Sequence, residues 1–185
     1  MKEKWVPINQ IESDTYNIAW FKLAECISRR ERERALGIFK LLSLSFADKA
    51  LAHQLKGDLF LSFEEKDEAI NCYLQAVQEY QKDQRFLQAV GIYEHLATLS
   101  PKSKEYTTML VRLYKRLGFK DKLIEGLVVL YNLWLESHSL EKAYEVLQEI
   151  VIHDSTENSA IICQKFIFQI IKSKSLDTEV VQRFV

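Results

Sequence analysis

Glycine and proline are scarce, with five and two in 185 residues, against an average usage of roughly 7% and 5%. Hairpins, Greek keys and phosphate-binding loops all draw on that turn chemistry, so a strand-rich or loop-borne design is excluded. Cysteine is also sparse: Cys26, Cys72 and Cys163 are far apart, odd in number and without a CxxC pair. That usage fits a reducing cytosol and small apolar packing residues better than a disulfide framework. Charge of one sign is lacking, because 25 basic and 26 acidic residues leave a formal charge of −1. No global field would hold the chain on nucleic acid or an anionic membrane.

Long apolar runs are missing too. The closest approaches to the roughly 20 residues that span a bilayer are 123–135, broken by Glu125, Gly126 and Asn132, and 159–171, broken by Gln164, Lys165 and Gln169. Both read as buried helices. The first residues, Met1 to Ile8, carry two lysines but lead into Asn9, Gln10, Glu12 and Asp14 instead of an apolar segment, so no secretory signal is expected. The expected compartment is the cytoplasm.

What is present is apolar residues at helical spacing almost throughout, in a chain that is 48% hydrophobic and 28% charged. Helices are predicted near 14–29, 31–46, 48–63, 66–82, 85–99, 103–117, 120–136, 139–152, 157–173 and 176–184. Ser100 before Pro101 offers a capping oxygen, Gly118 can close a helix in the left-handed conformation, and Asp154 with Glu157 has capping-box spacing. With no linker-like tract, residues 1–185 read as one domain. Residues 1–13 form a short N-terminal extension, and 176–185 a capping helix or the start of packing against another chain.

Helices of about seventeen residues invite a search for internal repeats. Ala35, Ala69, Ala89, Leu123 and Ala143 are separated by 34, 20, 34 and 20 residues. A step of 34 holds two helices and a step of 20 holds one. The segment 71–82 therefore serves as the second helix of one unit and the first of the next.

The segment Gly57, Phe60, Ala69, Tyr73 and Ala76 resembles the tetratricopeptide repeat, whose small residues let two helices approach while aromatics fill their crossing. Ala89, Tyr93 and Pro101 give a second match, and Tyr114, Gly118, Leu123 and Leu127 a third. Ala35 with Phe39, and Trp134 with Ala143 and Leu147, are weaker echoes. Val77, Val111 and Tyr131 stand where the family usually has a small residue, so those crossings should be wider. The resemblance covers about 16–155, most strongly 53–81, and implies an all-α, right-handed superhelical solenoid of about ten antiparallel helices. Leu127 is expected at its most enclosed helix.

Catalytic and metal motifs are not found. There is no HExxH, paired Cys motif or GxSxG, and His53, His95, His138 and His153 lack a helical His partner. Glu64, Glu65, Asp67 and Glu68 cluster at a helix start, where carboxylates meet the positive end of the helix dipole. Residues 28–34, alternating in charge, read as an exposed turn with local ion pairs. The run Arg112, Lys115, Arg116, Lys120 and Lys122 is partly explained by the helix-end effect and is otherwise a ligand-facing basic patch.

In tetratricopeptide arrays the first helix of each repeat lines a concave groove that holds a peptide or partner helix. Carried onto this sequence, the resemblance places Gln54, Asp58 and Leu61, then Gln78, Gln81 and Lys82, then Arg112, Lys115 and Arg116 towards that groove. Such a surface suits an acidic or amphipathic protein segment. Asp58 stands where a carboxylate clamp would need Asn, which argues against a C-terminal carboxylate ligand. The reading is a non-catalytic protein-interaction scaffold or adaptor without cofactor, metal, nucleic acid or membrane insertion. A small assembly or secretion chaperone for an amphipathic client is the alternative, with a helical-bundle enzyme behind both.

Overall fold

The computed structural model describes residues 8–154 and 157–172, and every regular element among them is an α-helix. In order these are α1 (Ile8–Ser28), α2 (Arg32–Ser43), α3 (Lys49–Ser62), α4 (Lys66–Lys82), α5 (Phe86–Leu99), α6 (Lys104–Leu117), α7 (Lys120–Glu136), α8 (Leu140–His153) and α9 (Glu157–Lys172). The helix expected at 176–184 lies outside the described residues. Two compact units divide the chain, Met1–Ile92 and Tyr93–Val185, with α5 crossing the division.

Three boundaries differ from the sequence reading. Helix α1 begins at Ile8, inside the expected N-terminal extension. Helix α2 stops at Ser43, because Phe46 turns back to stack on Trp20 and to meet Phe39, with ring centroids 6.1 and 6.2 Å apart. Asp48 then starts α3 by accepting a hydrogen bond from the Leu51 amide at 3.1 Å. At the start of α6 the cap is Ser103, accepting from the Tyr106 amide at 3.3 Å, rather than Ser100.

Five connections share one geometry. Arg30, Glu64, Gln84, Gly118 and His138 have φ of 59°, 67°, 58°, 73° and 57°. Each amide donates to the carbonyl three residues back, and the next amide to the carbonyl five back, as in Arg30 to Ile27 and Glu31 to Cys26. This is the Schellman closure, which satisfies carbonyls that a helix end leaves open. Gly118 takes the left-handed conformation foreseen for it; the other four positions hold side chains that incur a steric cost there. These residues repeat at 34, 20, 34 and 20, each five before an anchor of the sequence pattern. The pattern thus marks where the chain reverses, and two successive steps make a 54-residue, three-helix period.

Small residues near the reversals set the packing. In the first unit, Ala35 and Ala69 are fully buried, and α2 joins α1 around Leu23, Cys26, Phe39 and Leu42. Helices α3 and α4 approach so closely that a Cβ added to Gly57 would lie 2.7 Å from Tyr73 Cε1. In the second unit the small residue changes sides. Val111 of α6 is buried, and Gly126 of α7 makes room for it: a Cβ there would lie 3.1 Å from Val111 Cγ2. Helix α7 also buries Leu123, Leu127 and Leu130, with Leu127 fully enclosed. Phe166 brings α9 in by stacking on Tyr144 of α8 at 6.0 Å and tilting against Tyr131 at 6.1 Å.

The glycines separate packing from propensity. Gly37, inside α2, has no atom within 4 Å of an added Cβ, so Gly37→Ala should raise unfolding stability by about 1 kcal/mol, the helix-propensity difference. Gly57→Ala should lower the urea midpoint, because the buried Tyr73 ring must move.

Candidate interaction surface

Gln54, Asp58 and Leu61 sit at i, i+4 and i+7 on α3 and so share a face. That face meets α4. The Tyr80 hydroxyl donates to Gln54 Oε1 at 2.9 Å and the Tyr73 hydroxyl to Asp58 Oδ1 at 2.5 Å. One step further, the Arg85 guanidinium pairs with Asp48 at 2.5 Å and lies over the Tyr80 ring, 4.5 Å from its centroid. Three polar ties therefore run along the α3–α4 hairpin. Burial, followed by the hydrogen bond to Asp58, pushes the Tyr73 phenol far above its ordinary range. The hydrogen bond from Arg85 holds Asp48 below the usual carboxylate range despite partial desolvation.

The remaining predicted residues of this unit are on α4. Gln78 and Lys82 are exposed and Gln81 is half-buried; Lys82 pairs with Glu79 at 2.5 Å. Leu61 is half-buried on α3. The exposed polar residues Asn71, Gln75, Gln78 and Lys82 make a stripe along α4 at helical spacing.

In the second unit Arg112, Lys115 and Arg116 are exposed on α6, as their spacing requires. Lys115 reaches Glu149 of α8 at 2.6 Å. Arg112 has its guanidinium 3.9 Å from the Met109 sulfur. Lys122 binds Glu94 at 2.5 Å, and the same carboxylate accepts from the Tyr114 hydroxyl at 2.8 Å. Burial works against ionisation of Glu94, but these two donors bring its pKa below the ordinary value. Lys115 and Lys122 of the expected basic patch are thus engaged in ties between helices.

The acidic cluster at the start of α4 has a similar use. Glu65 takes a bidentate contact from Arg32, and Glu64 pairs with Arg30 at 3.1 Å. Arg30 also donates to the Ser62 carbonyl at 2.7 Å, so the α1–α2 turn is fastened to the α3–α4 turn. Residues 28–34 do carry local pairs, Arg34 with Glu31 at 2.5 Å for one, but their longer reach was not legible from charge alternation. Among the described residues, no group of three or more His, Cys, Asp or Glu could hold a metal ion.

Sequence reasoning missed Asp48, Arg85 and Glu94, and read Trp134 only as a repeat echo. Lys104 and Lys142 both lie over the Trp134 ring, their ammonium groups 4.5 and 4.4 Å from its centroid. Such cation–π contacts join α6, α7 and α8 through residues 30 apart in one pair and eight apart in the other, with no periodic signal. Asp48 was the one detectable residue, as a capping type just before a helix.

The α3–α4 hairpin packs as the tetratricopeptide resemblance implies. The small and aromatic residues between Gly57 and Ala76 make the close crossing, Ala69 and Ala76 being fully buried and Tyr73 nearly so. No protein-family model matches the chain, and no curated protein is significantly similar to it. Among solved structures, MamA from Desulfovibrio magneticus RS-1, taken from its residue 41 to the end, is 14% identical, with 88% of this chain and 98% of that one covered at a TM-score of 0.37. A further MamA crystal structure is 10% identical, covering 89% and 97% at 0.36. A Podosopora anserina putative kinesin light chain with nearly identical TPR-like repeats is 11% identical, covering 88% and 96% at 0.35.

The carboxylate ties fix a pH dependence. Asp48 and Glu65 have folded pKa values below their unfolded ones, so their contribution is present above the ordinary carboxylate range of about 4 and is lost as pH falls through the lowered values. The urea midpoint should fall between about pH 5 and pH 2, the usual span of acid titration, and an Asp48→Asn, Glu65→Gln double variant should flatten that fall. Tyr131 supplies a contrast: its hydroxyl is buried with no hydrogen-bond partner among the described residues, and burial, with Cys163 adding, pushes its pKa up to about 12. Tyr131→Phe should leave the thermal midpoint unchanged or raise it, since an unsatisfied buried hydroxyl costs about 1–3 kcal/mol.

Proposed function

We propose that this chain is a non-catalytic protein-interaction scaffold that takes a partner's peptide or helix on its exposed helix faces. One observation carries the reading. The polar groups at the hairpin crossings, Tyr73 with Asp58, Tyr80 with Gln54 and Tyr114 with Glu94, are engaged in joining helices. Exposed side chains on the helix surfaces face solvent: Gln78 and Lys82 in one unit, Arg112 in the other. Amides and cations displayed this way suit recognition of an acidic or amphipathic segment, by charge and hydrogen bonding along a helix face. Among the described residues, no helix is long and apolar enough to cross a membrane.

Affinity capture from the native cell, read by mass spectrometry, identifies the partner, and titration then tests the surface. Arg112→Glu with Lys115→Glu should weaken that partner's binding at least about tenfold, or about 1.4 kcal/mol, with helical content retained by circular dichroism. Unchanged affinity removes α6 from the surface. A client that stays soluble only when co-expressed with this chain would instead favour the chaperone role.

A further inference from the structure

We propose that Lys104, Trp134 and Lys142 form a binding site for an acidic side chain, glutamate above all, on a partner's segment. The assignment rests on the scaffold reading and gives it an anchor point. Lys104 opens α6, Lys142 lies in the first turn of α8 and Trp134 in the last turn of α7, so three helix ends of the second unit meet there. The indole is half-buried, and both ammonium groups lie over it, 4.5 and 4.4 Å from its centroid.

Charge complementarity names the ligand. Other lysines are neutralised within the protein: Lys82, Lys102, Lys115 and Lys122 each have a carboxylate within 3.9 Å. Among the described residues, Lys104 and Lys142 pair with no carboxylate, and Glu136, two residues from Trp134, is taken by Lys102. The face of an aromatic ring holds a cation in place without neutralising it, and each ammonium keeps N–H donors for an oxygen acceptor. The two charges are at most about 9 Å apart, within a Debye length of roughly 8–10 Å, so one anion beside the ring feels both. Two like charges drawn to one ring repel, and an anion relieves that repulsion. Lysines are compact point charges without the planar fork of arginine, so they suit carboxylates on a flexible segment. The indole adds an apolar surface for the methylenes of a glutamate side chain, a contact that a bare inorganic anion cannot make.

Titration of the full chain with a hexaglutamate peptide in about 0.15 M salt, followed through the indole N–H resonances by NMR, tests this. The Trp134 signal, identified by its loss in Trp134→Phe, should shift while that of Trp20 stays. Lys104→Gln with Lys142→Gln should raise the Kd at least about tenfold with helical content retained. Lys40→Gln with Lys66→Gln, at exposed lysines of the first unit, should leave it unchanged. An unmoved Trp134 signal, an unchanged Kd in the first lysine variant, or equal weakening by both lysine pairs overturns the site. So would an equal response to inorganic phosphate, which would assign a free anion instead of a protein segment. The natural partner's affinity for the Arg112→Glu, Lys115→Glu protein is a separate measurement, so the α6 surface and this site fail independently.

Discussion

Reversal of direction within two or three residues is the constraint on which these hairpins depend. A Schellman closure allows it by using the last carbonyls of one helix to bind the first amides beyond it. The next helix is then launched against the one just finished, and the fifth residue after the turn falls in the angle between them. At four of five such positions that residue is alanine, fully buried; at the fifth it is Leu123. Crossing distance, aromatic filling and the choice of glycine all follow from this narrow angle.

Polar groups are arranged to reinforce the same reversals. Tyrosines reach back across a hairpin to an amide or carboxylate on the partner helix, and arginines beside the turns bridge to the next element. Exposed ion pairs are worth at most about 1 kcal/mol each, so these ties specify pairing between helices more than they supply stability. The apolar ridges supply that, with burial of each large side chain contributing roughly 1.5–3 kcal/mol. Division of labour between ridge and tie leaves the outer helix faces chemically unconstrained, and recognition belongs on surfaces of that kind.

The helices were legible in the sequence because apolar spacing is a local, repeated signal; their number over the described residues and most of their ends follow from it. The reversals were legible as well, through the alanines that trail them. Phe46 was not, since an aromatic that ends a helix by folding back looks like one that extends it. Nor were the roles of Gln54 and Asp58, whose partners, 26 and 15 residues away, become neighbours only once the hairpin has closed. Charge runs told only part for a related reason: the partners of Lys115 and Lys122, Glu149 and Glu94, arrive from other helices.

Four of the left-handed turn positions hold Arg30, Glu64, Gln84 and His138 where glycine would be least strained. Their effect extends to the unfolded chain. A glycine there would roam both halves of backbone space before folding and surrender that freedom at each reversal, whereas a side-chain-bearing residue has less to surrender. The strain held in the folded turns is therefore offset by an unfolded ensemble that is already narrower at the very points where the chain must bend. Scarcity of glycine, met first as a deficit in composition, becomes a restriction on the denatured state.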